Sequence, residues 1–230
     1  MPQRILCLSA EAAEICARLG AWERVVGVSA FAEQEGRERR PVIGGFSNCD
    51  CERAMRLEPD LVITFSDVQA EIAGQFIRAG ATVLATNQRT LAEIAETIRL
   101  IGGAIGLAGE GRRLSETFRA EIEALTDRAG PRPKVYFEEW PDPPISGIGW
   151  VGEIIERVGG IDVFAERRGK EARQRMVTFE EIVAAQPEII LASWCGKPVD
   201  LAAIRARPGF AELSAVRDGN LQALPSDLIL

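Results

Sequence analysis

Histidine is absent from the 230 residues of this chain, and tyrosine occurs only once. Without an imidazole, the chain on its own has no Ser-His-Asp or Cys-His catalytic mechanism and no histidine-ligated metal site. Long apolar runs are absent too, because no stretch approaches the ~20 residues that cross a bilayer. The composition therefore excludes the histidine-dependent enzymes and is typical of a globular protein.

Charge and cysteine content narrow the classes of partner and compartment. The net charge is −7 without a long basic run, which argues against nucleic acid and anionic membrane surfaces as main partners. The five cysteines have no framework spacing, so we expect reduced thiols, and that favours the cytosol. The first residues, MPQRILCLSAEAAE, contain no secretory apolar segment. We therefore expect either a cytosolic protein or the earlier removal of a leader.

Short apolar runs alternate with amphipathic stretches, a pattern typical of βα units around a largely parallel sheet. Strands are predicted at 4–8, 25–28, 61–65, 82–85, 134–137 and 188–192. Helices are predicted at 10–19, 51–57, 68–79, 90–101, 107–128, 150–158 and 179–185. The segment 31–49, which is rich in charge, Gly and Pro, is predicted to be a loop.

One short pattern occurs twice in the chain. Residues 51–65 read CERAMRLEPDLVITF and residues 179–194 read FEEIVAAQPEIILASW; when Pro59 is set over Pro187, Glu52 falls on Glu180. RAGATVLAT at 78–86 is likewise echoed by RDGNLQALP at 217–225. We interpret the chain as two similar α/β lobes joined by one long helix: an N-terminal lobe at 1–105, a linking helix at 106–130 and a C-terminal lobe at 131–230.

Aromatic residues follow several of the predicted strands. Four strand ends carry one, out of fourteen aromatic residues in the chain: Phe31, Phe65, Trp140 and Trp194. Ligands of open α/β sheets bind beyond the carboxyl ends of the strands, so we expect a cleft between the lobes. Flat aromatic walls suit a large planar ligand, although the same rings could also pack at the bases of loops.

Three segments resemble a known family. VYFEEWPDPPISGIGWVGEIIERVGG at 135–160, ERAMRLEPDLVI at 52–63 and SWCGK at 193–197 are similar to the cobalamin-binding branch of the ABC-transporter substrate-binding proteins. The resemblance extends from Arg4 to about Asp227. It implies two Rossmann-like lobes bridged by a long helix, a periplasmic or extracytoplasmic location, no enzymatic activity and no catalytic cofactor.

The resemblance also implies roles for individual residues. It implies that cobalamin or a related corrinoid is bound with the help of Phe31, Phe46, Phe65, Trp140 and Ser146. Ser66 and Trp194 join this set because each follows a predicted strand. Adjacent strand residues point to opposite faces, so we expect one of Glu138 and Glu139 to accept hydrogen bonds from ligand amides, and we take Glu139. Glu52 and Glu180 match the two carboxylates that dock on arginines of the permease subunits. Acids in the first turn of a helix are also common for local reasons, since they are stabilised there by ~0.3–1 kcal/mol.

Two departures from the family pattern affect these expectations. The chain ends at Leu230, soon after its last predicted strand, where the family adds further helices, so it looks truncated at the C-terminus. The segment ARQRMVT before the second docking helix lacks the aromatic residue found in the family, which keeps a corrinoid other than cobalamin open.

Several alternatives remain open from the sequence. One is an iron-siderophore or haem carrier of the same fold, and another is a cytosolic corrinoid-handling protein or enzyme. Cys49 and Cys51 resemble a redox pair or a soft-metal site, but two ligands do not complete a tetrahedral shell, so no metal site is predicted. The cluster RRGKEARQR at 167–175 is interpreted as a solvated loop, with contact to an anionic ligand group as the alternative. A monomer is expected, with an ABC permease as its protein partner.

Overall fold

The computed structural model describes residues 1–125, 130–169 and 171–229, with Asp227 through its main chain only. Its strands are β1 (Ile5–Cys7), β2 (Val25–Ser29), β3 (Val42–Gly44), β4 (Leu61–Phe65), β5 (Val83–Thr86), β6 (Lys134–Pro141), β7 (Pro144–Ser146), β8 (Ile161–Asp162), β9 (Ile189–Ala192) and β10 (Leu221–Ala223). Its α-helices are α1 (Ala10–Arg18), α2 (Cys51–Met55), α3 (Ala70–Arg78), α4 (Leu91–Ala104), α5 (Ala108–Ala124), α6 (Gly149–Arg157), α7 (Phe179–Ala185), α8 (Leu201–Arg205) and α9 (Ser214–Arg217). Among the described helices, none combines the length and the apolar character needed to cross a membrane.

The chain divides into two compact units. The first comprises residues 1–88 and 92–122, and the second comprises residues 89–91 and 123–229. Each unit contains its own sheet and its own apolar cores.

The first unit is built on a parallel sheet with the strand order β3-β2-β1-β4-β5. Side chains alternate across this sheet, so Ile5 and Cys7 pack with α1 and α4, whereas Leu6 and Val62 pack with α2 and α3. Helices therefore cover both faces of one parallel sheet. This arrangement confirms the predicted Rossmann-like α/β fold.

The second unit repeats this plan with an antiparallel addition. Strands β10, β9, β6 and β8 pair in parallel, so β6 lies between β9 and β8 as β1 lies between β4 and β2. Strand β7 pairs antiparallel with the last residues of β6 and makes a hairpin with it. Tyr136 and Ile190 pack with α7, α8 and α9 on one face, and Val135 and Phe137 pack with α6 on the other.

The acidic residue after each repeated proline has the same structural role in both units. The Asp60 carboxylate accepts a hydrogen bond from the Arg4 N–H at 2.9 Å, and the Glu188 carboxylate accepts one from the Lys134 N–H at 2.8 Å. In return, the N–H groups of Asp60 and Glu188 donate to the carbonyls of Arg4 and Lys134. Each acid therefore fixes the start of one strand against that of its neighbour.

The turn before each repeated proline is also the same. Glu58 has φ = 48° and Gln186 has φ = 50°, a left-handed conformation that ends a helix. The following Pro59 and Pro187 cannot continue a helix and bias the preceding residue away from right-handed helical angles. The sequence repeat therefore encodes a helix stop and the start of a strand.

Two parts of the sequence prediction require correction or refinement. The predicted loop at 31–49 contains β3, which pairs with β2 and brings residue 46 to the edge of the sheet. The helix predicted at 106–130 is α5, and residues 126–129 of the predicted range lie outside the described residues. This helix packs on α4 within the first unit, where the Ser115 hydroxyl donates to the Ala95 carbonyl at 2.7 Å.

Candidate functional site

Three phenylalanines lie near the carboxyl edge of the first sheet. Phe31 follows β2, Phe46 follows β3 and Phe65 ends β4. The ring centroids of Phe46 and Phe65 are 5.9 Å apart with an interplanar angle of 55°. Phe31 lies beside Gly45, since a Cβ placed on that glycine would be 3.9 Å from the Phe31 ring. Phe65 is buried, whereas Phe31 and Phe46 are half-buried and leave ring surface open to a ligand.

Phe31, Phe46 and Phe65 form the aromatic edge of the first sheet, and the Gln69 side chain hydrogen-bonds to the main chain of two of them. Its side-chain oxygen accepts from the Phe65 N–H at 2.9 Å, and its side-chain nitrogen donates to the carbonyls of Leu8 at 2.8 Å and Phe46 at 2.9 Å. The side chain is 1% exposed. A buried amide that joins three segments fixes their relative positions, and this role was not predicted from the sequence. A glutamine four residues after a strand carries no recognised signal.

Ser66 adopts a backbone conformation that is rare outside glycine. Its φ of 63° and ψ of 174° place it immediately after β4, with its hydroxyl accepting from the Val68 N–H at 3.3 Å. Residues with such angles cost of order 1–3 kcal/mol and concentrate at binding and catalytic sites. The side chain is buried, so its predicted role as a direct ligand contact stays a prediction.

The second unit links two of the predicted ligand residues through an arginine. Arg175 donates to Glu139 through Nη1 at 2.6 Å and through Nη2 at 3.0 Å, and its Nη1 also donates to the Ser146 carbonyl at 2.6 Å. The Ser146 hydroxyl in turn donates to the Arg175 carbonyl at 3.1 Å. Because the Arg175 side chain is only 4% exposed, the interpretation of 167–175 as a solvated loop is wrong for this residue.

Glu138 points into the second unit rather than outward. The residue is fully buried, pairs with Arg207, and accepts from the Trp194 Nε1 at 3.0 Å and from the Tyr136 hydroxyl at 3.1 Å. Burial and the adjacent Glu138 raise the pKa of Tyr136 well above its ordinary value. Trp194 therefore belongs to a buried polar network and packs in an apolar core. This position favours a structural role over the predicted ligand contact.

Trp140 lies at the β6–β7 hairpin of the second unit. Its Nε1 donates to the Asp142 carbonyl at 3.0 Å, and the Lys197 ammonium lies 4.0 Å from the centroid of its ring. Trp140 is half-buried and Lys197, in the segment after β9, is exposed. The sequence placed Lys197 in the SWCGK motif without assigning it a role.

The two glutamates of the sequence repeat occupy equivalent positions. Glu52 and Glu180 are the second residues of α2 and α7, and both are exposed. The Asp50 side chain caps α2, and Thr178 caps α7. Hydrogen bonds from its own backbone N–H and from Thr178 lower the pKa of Glu180, which keeps this surface carboxylate charged.

The cysteines do not form a metal site within the described residues, where no cluster of three or more His, Cys, Asp or Glu side chains could hold an ion. Cys7 and Cys16 are buried with their Sγ atoms 3.9 Å apart. Burial, and then the neighbouring Cys51, raises the pKa of Cys49 to about 12. In the metal-free chain this thiol therefore stays protonated at neutral pH.

Residues 5–228 match a family model described as periplasmic binding protein. The chain belongs to the periplasmic binding protein family. The vitamin B12-binding protein of Vibrio cholerae serotype O1 is 26% identical over 235 residues, covering 98% of this chain and 82% of that protein. The Bacillus subtilis strain 168 protein named uncharacterized ABC transporter substrate-binding lipoprotein YvrC is 25% identical over 240 residues, covering 99% of this chain and 74% of that protein.

A solved structure supports the same assignment. The periplasmic heme-binding protein RhuT from Roseiflexus sp. RS-1 in apo form matches with a TM-score of 0.85 and 27% identity, covering 100% of this chain and 92% of that one. The family resemblance predicted from the sequence is therefore confirmed. Periplasmic binding proteins bind substrates and are not enzymes.

Proposed function

We propose that this chain is the substrate-binding protein of an ABC importer and that its substrate is cobalamin or a related corrinoid. The vitamin B12-binding relative from Vibrio cholerae supports the substrate, and the aromatic edge of the first sheet is the observation that carries it. Phe31 and Phe46 offer ring surface at the carboxyl ends of parallel strands, where open α/β sheets bind ligands. Flat rings give a planar macrocycle a large contact area at low entropic cost.

The second unit contributes the polar part of the proposed contact. Trp140 offers a further ring, and the half-buried Glu139 supplies carboxylate oxygens that can meet the peripheral amides of a corrin. Ser146 is buried and acts through its hydrogen bonds with Arg175. Arg175 holds both residues, so these groups are oriented before the ligand arrives. Such pre-orientation lowers the entropic cost of binding.

A haem carrier is the second candidate, and the likeness to RhuT is the observation that favours it. Haem iron in proteins is commonly held by His or Tyr. This chain has no histidine, and its single tyrosine, Tyr136, is fully buried and donates to Glu138. The cobalt of cobalamin carries its own axial ligands and needs none from the protein. The corrinoid is therefore the better fit to these side chains.

Titration with cyanocobalamin, followed by calorimetry and by its visible spectrum, tests the proposal, with haemin titrated in parallel. We expect cyanocobalamin to bind with a Kd of about 1 μM or tighter and Phe46→Ala to weaken it about tenfold. Ile77→Ala, which removes an exposed apolar side chain on α3, is the matched control and should leave affinity unchanged. Tight haemin binding without cyanocobalamin binding at about 1 mM would reject the corrinoid in favour of haem.

We also propose that Glu52 and Glu180 dock the loaded protein on the two membrane subunits of the importer. Their support is the matching pair of capped helices, one in each unit, that present a charged carboxylate to solvent. Docking of this kind places the protein outside the cytoplasm. The name of the Bacillus subtilis lipoprotein relative is consistent with this location.

A further inference from the structure

We propose that Lys197 and Trp140 form a subsite for an anionic group, a carboxylate or a phosphate, on the periphery of the planar ligand. This inference rests on the proposed function and adds a charge requirement to it. It assigns ligand specificity to a lysine that neither the sequence pattern nor the family match singles out.

A cavity lies beside Lys197 in the second unit. Its volume is about 470 Å³, and it is lined by residues 196–199 and 223–226.

These two segments follow the carboxyl ends of β9 and β10, which run parallel to each other and to β6. The cavity therefore lies at the edge of the sheet where ligands of open α/β sheets bind.

Within the part of the chain that the structure describes, the charges at this edge leave Lys197 without a carboxylate partner. Glu138 is paired with Arg207, and Glu139 is paired with Arg175. Among the ion pairs of the described side chains, none includes Lys197. Two acids and two arginines thus neutralise each other, and among the described side chains at this edge the lysine adds a positive charge that no acid balances.

Trp140 holds this charge in place without neutralising it. The Lys197 ammonium lies 4.0 Å from the centre of the Trp140 ring, and the Trp140 Nε1 is anchored on the Asp142 carbonyl. The face of an aromatic ring attracts a cation but carries no net charge, so the ammonium keeps its ability to pair with an anion. An ammonium beside an aromatic surface suits a flat ligand with an acidic substituent.

Two sources of this chemistry fit a planar macrocycle. Haem carries two propionate carboxylates, and cobalamin carries one phosphodiester in its nucleotide loop. Each has a matched relative without the anionic group: haem dimethyl ester has esters in place of the carboxylates, and dicyanocobinamide lacks the nucleotide loop. Comparing affinities within each pair therefore shows whether the subsite binds a carboxylate or a phosphate.

The experiment measures the affinity of the four compounds for the wild-type chain, Lys197→Ala and Lys197→Arg. We expect Lys197→Ala to weaken the binding of the anionic compound, haem or cobalamin, about tenfold, which is the loss typical of one hydrogen bond to a charged group. The same variant should leave the affinity for the matched relative without the anionic group unchanged. Lys197→Arg should retain most of the affinity. Raising the salt concentration from about 0.1 M to about 1 M, which shortens the Debye length from ~10 to ~3 Å, should weaken the anionic ligand for the wild type but much less for Lys197→Ala.

Arg217→Ala is the matched control, because it removes an exposed positive charge on α9, ahead of the amino end of β10. It should affect none of the four affinities. Suppose that the wild type binds a macrocycle and that Lys197→Ala changes the affinity for the anionic compound and for its matched relative to the same extent, or changes neither. The anion subsite is then rejected, while the proposed function stands. If the wild type binds none of the four, the proposed function is rejected and the subsite with it.

Discussion

The side-chain amide of Gln69 donates a hydrogen bond to the main-chain carbonyl of Phe46 at 2.9 Å. The same side chain also accepts from the Phe65 N–H, so one buried amide holds the backbones of two residues whose rings are 5.9 Å apart. The geometry of the aromatic edge therefore depends on a polar residue that offers the ligand no surface of its own.

Replacing Gln69 by leucine should destabilise the first unit and weaken ligand binding. Leucine has a similar size but leaves the Phe65 N–H and the carbonyls of Leu8 and Phe46 without their partner. Buried polar groups that lose their hydrogen bonds cost about 1–3 kcal/mol each before relaxation, so we expect a loss of about 2–4 kcal/mol. Urea denaturation measures the change in the free energy of unfolding.

Gln75→Leu is the control for this substitution, because Gln75 is exposed on α3. It should change the free energy of unfolding by less than about 0.5 kcal/mol. Equal stability of Gln69→Leu and Gln75→Leu would show that the hydrogen bonds of Gln69 do not hold the aromatic edge.

Glycine at position 66 should separate backbone strain from side-chain contacts. The φ of 63° at Ser66 is open to glycine at little cost, so Ser66→Gly relieves strain of about 1 kcal/mol or more, offset in part by the lost hydroxyl contact with the Val68 N–H. Ser66→Ala loses the same contact and keeps the strain. We expect Ser66→Gly to be the more stable of the two by thermal denaturation, and the reverse order would contradict the strained conformation.

Local patterns in the sequence account for most of the fold. Apolar runs such as LVITF at 61–65 form buried parallel strands, and the repeated proline and acid mark where β4 and β9 begin. Strands β3, β7 and β8 were not predicted; each has only two or three residues and, unlike β1, lies outside the longer apolar runs of the sequence. Such short strands are specified by the neighbour they pair with rather than by their own periodicity.

The site was less predictable than the fold because its polar contacts join distant parts of the chain. Arg175 and Glu139 are 36 positions apart, and Arg207 and Glu138 are 69 positions apart. No local spacing signals such pairs. The alternation of a strand correctly separates Glu138 from Glu139, but only the fold shows that both are already paired with arginines.

Removing Arg207 should strongly destabilise the second unit. Arg207→Met leaves the fully buried Glu138 carboxylate without its cation, and breaking a buried pair in this way costs about 3–5 kcal/mol. The double variant Glu138→Gln with Arg207→Met removes both charges and should recover part of the loss. Chemical denaturation measures both variants, and a double variant less stable than Arg207→Met would contradict this account of the pair.

Two half-buried thiols should react slowly with alkylating reagents. Burial, and then the nearby Glu139 charge, raises the pKa of Cys195 to about 11, and the pKa of Cys49 is raised to about 12. Only the thiolate reacts, so at pH 8 iodoacetamide should modify both about a hundredfold or more slowly than an unfolded cysteine with a pKa of ~8.5. The rate should rise tenfold per pH unit up to the pKa. Mass spectrometry of the labelled peptides, with the urea-unfolded chain as control, measures each site, and rapid labelling at pH 8 would contradict the raised values.

Neutralising the two docking glutamates should impair transport without affecting ligand binding. Glu52 and Glu180 are exposed and lie outside the aromatic and polar contacts proposed for the ligand, so Glu52→Ala with Glu180→Ala should leave the Kd of the ligand unchanged. Loss of two charge pairs with the permease should reduce ligand-stimulated ATP hydrolysis by the cognate importer in proteoliposomes about tenfold or more. The control pair Glu116→Ala with Glu212→Ala removes two other exposed glutamates, one from each unit, and should retain full stimulation. Both double variants lose the same net charge. If they stimulate ATP hydrolysis equally, Glu52 and Glu180 have no specific role in docking and contribute to helix stability alone.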